Sequence, residues 1–462
     1  RFFEMHDTGV KNGYYPEMLL DGDDPVFGYV DFTGGPNTNV GLAPGTGAGN
    51  YYGSYAMPQR ARFDGGSGAE LTTEYLIKAS IWDQMGMARD DAGRFYHLSV
   101  YNRDNGGMSF IYDRYAELYA DGKGWGTGIG FGGYDGSNSE DANNNSVTLE
   151  TVNFGEGLLL GRYQNPRMAA IGDSTTSHAK VYMLYYDDNT TDRNLVFRNL
   201  RVGTDVTGGG TAALYSGGTS STGDAYAQRA NITDSNTSGR ITAASDASRY
   251  FDMAVTDDFR VIIVYYDESA GRLKLRYSDG PVDGSSPTGA VTWIDSPITF
   301  PEYVGNYVSM TLDSNDGIHL SAYDGAEADL SYMFIDAYDS TTLNHVTVDS
   351  SFSVGLWTRI EVLENGGDII PYIAYFNSSE SGQRDSVKLA YSLSGVTSGN
   401  VPAGVENGFT TGEWEYLNVP AITPPQGGSL MFKQVNLDFD SNDRPVVGYL
   451  GTNLEFGGWI PE

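Results

Sequence analysis

One stretch of the chain contains the repeating pattern in its fullest form. Residues 313–324 read Asp-Ser-Asn-Asp-Gly-Ile-His-Leu-Ser-Ala-Tyr-Asp, and a further alternating segment, Leu-Ser-Tyr-Met-Phe, follows at 330–334. The Asp, Asn and Gly residues supply the positive-φ positions that tight hairpin turns require. Alternation of residue types with period two predicts half-buried strands rather than helices. The stretch therefore predicts a β-hairpin followed by a third strand.

Copies of this pattern recur along the chain. Residues 97–101 repeat His-Leu-Ser-x-Tyr after an Asp-Ala-Gly turn, so His97 and His319 are predicted to occupy equivalent strand positions. A tyrosine at or near the end of the second strand marks each copy, and its successive positions are Tyr29, Tyr101, Tyr185, Tyr265, Tyr323, Tyr375 and Tyr449. The markers lie about 70 residues apart on average, which is room for three or four strands with their loops.

Seven sheet-forming units in one chain leave few arrangements. An open row of sheets would expose two edges, whereas radial closure leaves only short, protected ones. The sequence therefore predicts an all-β fold, a β-propeller of four-stranded antiparallel blades. Seven blades are favoured, and six or eight remain open because the similar segments 21–29 and 440–449 could share a closing blade. We expect an N-terminal arm at 1–15, a single propeller domain at 16–462, and a strand rather than a helix at 73–83.

Composition excludes several functional classes. Lys and Arg number 28 against 60 Asp and Glu, a formal charge of −32, which argues against nucleic acid and against an anionic membrane surface. Cysteine is absent, so disulfides and thiolate metal sites are excluded. The longest apolar runs, 181–186 and 261–266, are far shorter than the ~20 residues of a membrane-spanning helix. The chain begins at Arg1, so we expect either a removed export signal, hence a secreted protein, or a trimmed chain.

The unit resembles the blades of sialidase-like and related secreted bacterial propellers. In those blades an Asp-Gly turn joins the inner strands, and a Ser-x-Asp-like turn precedes a tryptophan on the outer strand. Tyr277-Ser278-Asp279-Gly280 before Trp293, and Tyr391-Ser392 before Trp414, are similar to that turn. The resemblance implies a propeller fold, and for a sialidase it implies an arginine cluster with a tyrosine nucleophile and an acid. No motif identifies which residues would fill those roles.

Calcium is the candidate metal. Asp-x-Asn spacing occurs at Asp313/Asn315 and at Asp440/Asn442, and an acidic loop contains Asp135, Ser137 and Asp141. Clustered oxygen ligands on loops suit this cation. Ordinary turn formation by Asp and Asn is the alternative interpretation, because side-chain-to-backbone bonds favour the same residues. The Tyr-Tyr-Asp groups at 185–187 and 265–267 offer a similar choice between stacking on sugar rings and packing in the core.

The leading functional hypothesis is a secreted, non-enzymatic propeller that binds a glycan or a surface protein at the cell exterior. Loops on rigid scaffolds are where recognition usually lies, and the candidates are 34–52, 122–145, 203–224 and 392–412. Two alternatives stay open. One is a sialidase-like glycoside hydrolase. The other is a self-assembling subunit of a filament or surface layer, in which the N-terminal arm reaches a neighbour's sheet edge.

Overall fold

The computed structural model describes nineteen stretches of the chain. The described residues are 2–4, 14–31, 57–63, 70–75, 82–90, 95–101, 107–112, 150–152, 163–172, 178–189, 192–203, 247–282, 291–351, 353–378, 386–396, 402, 413–419, 435–450 and 456–459. Within them lie 27 β-strands and no helix, and hence no helix that is long and apolar enough to cross a membrane. The all-β prediction is confirmed for these residues.

The strands form seven antiparallel sheets, numbered I to VII along the chain, and within each sheet consecutive strands pair. Sheet I contains β2 (Tyr14–Asp21), β3 (Asp24–Asp31), β4 (Met57–Phe63) and β5 (Glu70–Tyr75). Sheet II contains β6 (Trp82–Arg89), β7 (Phe95–Tyr101), β8 (Gly107–Tyr112) and β9 (Glu150–Val152). Sheet III contains β10 (Tyr163–Gly172), β11 (His178–Asn189) and β12 (Asp192–Gly203). Sheet IV contains β13 (Ala247–Val255), β14 (Val261–Asp267), β15 (Arg272–Ser278) and β16 (Trp293–Asp295).

The last three sheets follow the same plan, and the final one also takes a strand from the other end of the chain. Sheet V contains β17 (Val304–Leu312), β18 (Ile318–Asp324), β19 (Leu330–Ile335) and β20 (Asn344–Asp349). Sheet VI contains β21 (Ser353–Asn365), β22 (Asp368–Ser378), β23 (Ser386–Ser392) and β24 (Trp414–Asn418). Sheet VII contains β25 (Val435–Phe439), β26 (Pro445–Leu450), β27 (Phe456–Trp459) and β1 (Phe2–Glu4). The segment predicted as an arm at 1–15 thus includes a strand that pairs with β27 of the same chain.

Each sheet begins with a strand that lies at one edge, and these first strands contact one another in sequence. β2 contacts β6, β6 contacts β10, and the series continues through β13, β17 and β21 to β25. β25 in turn contacts β2, so the last sheet lies against the first. The seven marker tyrosines each lie on the second strand of a different sheet, which makes one repeat of the sequence equal to one sheet.

Burial on both faces explains why some inner strands, such as β14, read as nearly continuous apolar runs. In β14, Val261 and Ile263 pack in a cluster with sheet III, while Ile262 and Val264 pack in a different cluster with sheet V. β19 divides in the same way between sheets IV and VI. In a sheet that is covered on both sides, apolar residues are favoured at successive positions of a strand. The alternation of polar and apolar residues seen in half-buried strands is then lost. β15 still alternates, with Leu273, Leu275 and Tyr277 buried.

The tyrosines weighed as sugar-stacking groups pack in the interior instead. Tyr185, Tyr186 and Tyr265 are buried, as are the marker residues Tyr375 and Tyr449. Core packing is therefore the interpretation that the structure supports for these positions.

The predicted equivalence of His97 and His319 is wrong by one residue. Pairing in sheet V joins Leu312 to Ile318 across a five-residue loop, and pairing in sheet II joins Arg89 to Phe95 across a loop of the same length. Counted from those turns, Tyr96 occupies the position of His319. The shared His-Leu-Ser-x-Tyr sequence is offset by one residue between β7 and β18. Because successive side chains of a β-strand point to opposite faces, equivalent residues of the motif lie on opposite faces of their sheets. Of the strand predicted at 73–83, residues 73–75 belong to β5 and 82–83 to β6, while 76–81 lie outside the described residues.

Gly355 in β21 should not tolerate a side chain. Its φ is +93°, and an added Cβ would lie 2.9 Å from the Cα of Leu330 in sheet V. We expect Gly355→Ala to lower the free energy of unfolding by ~2–3 kcal/mol, through backbone strain and overpacking together. Chemical denaturation measures the change. Gly366→Ala is the matched control, because its φ is +64° with no atom within 4 Å, and only the conformational cost of about 1 kcal/mol should apply. Equal losses in the two variants would contradict the close sheet V–sheet VI contact.

Candidate functional site

Irregular pairing near the start of the first strands is followed by polar residues at corresponding positions along those strands. The register of β2, β10, β13, β17 and β21 against their second strands shifts once or twice in the first half of each strand. β-Bulges change the direction of the side chains around them and are common at sheet edges and next to functional sites. The residues at or next to the point where regular pairing resumes are Glu17, Arg167, Asp252, Ser309 and Arg359.

Four of these residues form a charged quartet: Glu17, Arg167, Asp252 and Arg359. Nη1 of Arg167 lies 2.9 Å from Oε1 of Glu17, and its Nε lies 3.6 Å from Oδ1 of Asp252. Nη2 of Arg359 lies 3.2 Å from the same Glu17 oxygen, and its Nη1 lies 3.7 Å from Oδ2 of Asp252. Each arginine thus contacts both carboxylates. Side chains from sheets I, III, IV and VI meet here, and their charges balance.

Acceptor side chains on the first strands also bind the backbone of the next sheet. The N–H of Met310 in sheet V donates to Oδ2 of Asp252 at 2.9 Å, and the N–H of Ile360 in sheet VI donates to Oγ of Ser309 at 3.3 Å.

The same contact recurs between sheets I and II and between sheets VII and I. The N–H of Met87 donates to Oε2 of Glu17 at 3.4 Å, and the N–H of Leu20 donates to Oδ2 of Asp438 at 3.0 Å. A backbone donor at a buried sheet edge needs such a partner.

Two further carboxyl groups lie close to the quartet without a balancing arginine of their own. Glu361, two residues beyond Arg359, accepts a hydrogen bond of 3.1 Å from Oγ1 of Thr311. Burial raises the pKa of Glu361 to about 8, and the negative charge of Asp438 adds to this. Burial also raises the pKa of Asp438, although N–H donors from Phe439 and Leu20 oppose the rise. Glu361 is therefore largely protonated at neutral pH.

Three aromatic side chains form what we call the aromatic arc: Tyr250 of β13, Tyr307 of β17 and Trp357 of β21. Ring centroids are 4.7 Å apart between the two tyrosines and 4.6 Å apart between Tyr307 and Trp357. All three are half-buried, and each precedes Asp252, Ser309 or Arg359 by two residues. Tyr307 and Trp357 have φ values of +54° and +52°, which are unfavourable for aromatic residues. The arc residues therefore lie two positions before Asp252, Ser309 and Arg359 along β13, β17 and β21, toward the end where these strands begin.

Comparison with known proteins adds little to this geometry. No family model matches the chain, and a search of curated proteins finds no match. Solved structures with weak similarity include the intramolecular trans-sialidase from Ruminococcus gnavus, at 9 % identity and a TM-score of 0.42 over 98 % of this chain and 95 % of that one. The polysaccharide lyase Uly1 gives 10 % identity and a TM-score of 0.43 over 99 % and 91 % of the two chains. The Hadza microbial sialidase Hz136 gives 10 % and 0.43 over 88 % and 73 %. At such low values these similarities carry no inference about this chain.

The two stretches that resemble a Ser-x-Asp turn occupy matching places. Ser278 pairs with Trp293 in sheet IV, and Ser392 pairs with Trp414 in sheet VI. Oγ of Ser278 donates to the carbonyl of Gly280 at 2.7 Å, and Oγ of Ser392 donates to that of Ser394 at the same distance. Both serines are buried, and each closes the turn that leads from the third strand toward the fourth. The stretches thus have a structural role in the turn.

The Asp-x-Asn residues considered for calcium lie in hairpin loops between first and second strands. Oδ1 of Asp313 accepts N–H groups of Asn315 and Gly317, and Oδ1 of Asp440 accepts those of Asn442 and Arg444. The remaining oxygen of Asp313 lies 3.1 Å from Nε2 of His319, and that of Asp440 lies 2.7 Å from Nε of Arg444. No group of three or more acidic or His side chains suited to a metal occurs among the described residues. Asp135, Ser137 and Asp141 lie outside them, and calcium stays a prediction.

Sequence reasoning did not find the buried relay that continues from Asp313. His319 is fully buried, and its Nδ1 lies 2.7 Å from the hydroxyl of Tyr332 on β19. Burial tends to raise the pKa of Asp313, but bonds to His319 and to backbone N–H groups outweigh it and lower the pKa. In sheet II, Tyr96 donates directly to Asp90 at 2.8 Å, so it serves the same loop without a histidine. The relay therefore holds a hairpin and has no access to a ligand.

The quartet was missed as well, although the sequence analysis did weigh an arginine cluster. Its members lie up to 342 residues apart, and nothing local links them. The strand sequences carry no common signal for the quartet, because β17 holds no charged residue while β21 holds Arg359, Glu361 and Glu364. The candidate loops 34–52 and 122–145 lie outside the described residues, as does all but the first residue of 203–224 and most of 392–412.

Replacing Glu361 should change the pH dependence of stability. Because its folded pKa lies above the ordinary carboxyl value, the folded state holds a proton that the unfolded state releases, and stability falls as pH rises from about 4.5 to about 8. We expect Glu361→Gln to remove this fall and to raise the free energy of unfolding at pH 8.5 by ~2 kcal/mol. Urea denaturation at several pH values measures it. Glu327→Gln, an exposed glutamate on the loop before β19, is the control and should change stability by less than ~0.5 kcal/mol. Parallel pH profiles for wild type and Glu361→Gln would refute the assignment.

Proposed function

We propose that the seven sheets are the blades of a seven-bladed β-propeller that acts by binding, without catalysis, outside the cell. The cyclic series of contacts from β2 to β25 and back to β2 supports the ring. The quartet supports it too, because side chains from sheets I, III, IV and VI can meet only if their first strands face a common axis. In this arrangement β1 completes the last blade and joins the two ends of the chain.

The mutual neutralisation of the quartet is the observation that carries the functional proposal. A sialidase-like site needs arginines that are free to bind a substrate carboxylate. Here each arginine of the quartet is already shared between Glu17 and Asp252, at distances of 2.9 to 3.7 Å. Removing either carboxylate would leave two largely buried cations sharing a single carboxylate, which is costly. The arrangement is therefore a stable support for binding rather than a set of groups waiting for an anionic substrate.

The proposal is tested by looking for turnover and for binding in parallel. We expect no hydrolysis of a panel of chromogenic glycosides that includes an α-sialoside, and no unsaturated product from acidic polysaccharides. We expect retention of a ligand on a glycan array or of a surface protein in a pull-down. Hydrolysis that disappears in Glu17→Gln and persists in Asp329→Asn would overturn the non-catalytic assignment, since Asp329 lies outside the quartet on the loop before β19. Retention of neither glycan nor protein would overturn binding.

The location outside the cell has its own measurement. Detection of the chain in the culture supernatant or on the surface of its source cells is the expected result. Recovery in the cytoplasmic fraction alone would contradict this part of the proposal.

A further inference from the structure

We propose that the aromatic arc, together with the exposed edge of the charged quartet, binds an uncharged oligosaccharide. This inference rests on the proposed binding function and names the ligand class and the residues. The site would be formed by Tyr250, Tyr307 and Trp357, with Arg359 and Asp252 beside them. It lies where the first strands of sheets IV, V and VI begin.

The aromatic rings supply the apolar part of such a site. Tyr250, Tyr307 and Trp357 come from three consecutive sheets and contact in series, at centroid separations of 4.7 and 4.6 Å. The rings meet at interplanar angles of 61° and 53°, Tyr307 and Trp357 also pack against the core between sheets VI and VII, and all three stay half-buried rather than fully enclosed. Aromatic side chains combine an apolar face with, in Tyr and Trp, a polar edge. The C–H faces of sugar rings pack on such surfaces, while their hydroxyl groups need polar partners at the rim.

The quartet supplies those polar partners. Side chains of Arg359 and Arg167 retain 21 % and 15 % of their surface, and Glu17 and Asp252 retain less. Guanidinium N–H groups donate and carboxylate oxygens accept, so one cluster can satisfy the hydroxyl groups of a sugar in both senses. The four side chains hold one another in place, which reduces the entropy lost on binding.

Charge selects an uncharged ligand. The quartet itself is neutral, Glu361 and Asp438 lie beside it, and the whole chain carries a formal charge of −32. An acidic polysaccharide would meet no unpaired arginine at the quartet and would be repelled by the field of the protein. A neutral chain of hexoses needs no unpaired arginine and is not repelled by the negative charge of the protein.

The test uses the full chain and four probes. Cellohexaose and laminarihexaose are the uncharged probes, 3′-sialyllactose and oligogalacturonate are the anionic ones, and calorimetric titration measures the dissociation constants. We expect binding of at least one uncharged probe and none of the anionic probes. Trp357→Ala and Tyr250→Leu should weaken that binding roughly tenfold or more, because each removes a stacking surface. Trp357→Phe keeps a ring and should retain affinity within about threefold.

A matched control comes from the opposite end of the strands. Tyr277 and Tyr338 form a pair with the same 4.7 Å centroid separation as Tyr250 and Tyr307, and Tyr338 is likewise half-buried. Tyr338→Ala should leave oligosaccharide affinity unchanged. Thermal melts and near-ultraviolet circular dichroism identify any variant that fails to fold, and Trp357→Phe with Tyr250→Leu then carry the test without Trp357→Ala.

Each outcome separates the site from the wider proposal. Unchanged affinity in both Tyr250→Leu and Trp357→Ala, or preference for an anionic probe, overturns the aromatic arc as the site. Failure to bind any uncharged probe, with a protein partner retained in the pull-down, also overturns the arc but leaves the binding function in place. Glycoside turnover overturns the non-catalytic function whatever the arc variants do.

Discussion

The fold depends on one type of contact, in which an acceptor side chain on a first strand takes the backbone N–H of the next first strand. A first strand is the edge of its sheet, so its outward N–H groups have no further strand to pair with. The carboxylate of Asp252 accepts a hydrogen bond from the N–H of Met310. The carboxylate of Asp438 accepts one from the N–H of Leu20, where the last sheet lies against the first. Each unpaired group would cost about 1–3 kcal/mol in a buried setting. The same bonds fix the relative height of neighbouring sheets, because the donor and the acceptor occupy defined positions after the bulges.

The use of side-chain acceptors between neighbouring first strands affects the charge balance of the structure. Three of the four acceptors are the carboxylates of Glu17, Asp252 and Asp438, and carboxylates that face one another repel and lose hydration. Arg167 and Arg359 neutralise two of them, Glu17 and Asp252, and so produce the quartet. Burial and the charge of Asp438 raise the pKa of Glu361 to about 8 despite the opposing charge of Arg359, so Glu361 retains its proton at neutral pH. The charges of the quartet and of Glu361 are therefore kept close to neutrality by pairing and by protonation, even though the chain as a whole is strongly acidic.

Local patterns predicted the parts of the structure that depend on local physics. Turn residues and period-two alternation identified the hairpins, and each marker tyrosine does lie on a different second strand. The error at His97 arose because similar letters were aligned instead of turn lengths, and a strand changes face with every residue. The quartet could not be predicted, because its geometry depends on bulges and on how seven sheets meet. Among 60 acidic residues, the sequence does not distinguish Glu17 or Asp252 from the many that form turns.

The position after the bulge holds different residue types in different sheets. Second strands keep the same buried, apolar character from sheet to sheet, since each must fill the space between two neighbours. The post-bulge position instead holds an acid in β2 and β13, an arginine in β10 and β21, and a serine in β17. The preceding bulge holds Asn165 in one sheet but Tyr307 and Trp357 in two others, although all three share a left-handed φ that suits Asn better. A packing requirement common to all sheets would favour one residue type, whereas the residues of the quartet and the aromatic arc differ from sheet to sheet. The proposed binding surface of a propeller requires such differences, because each sheet would contribute a different side chain to it.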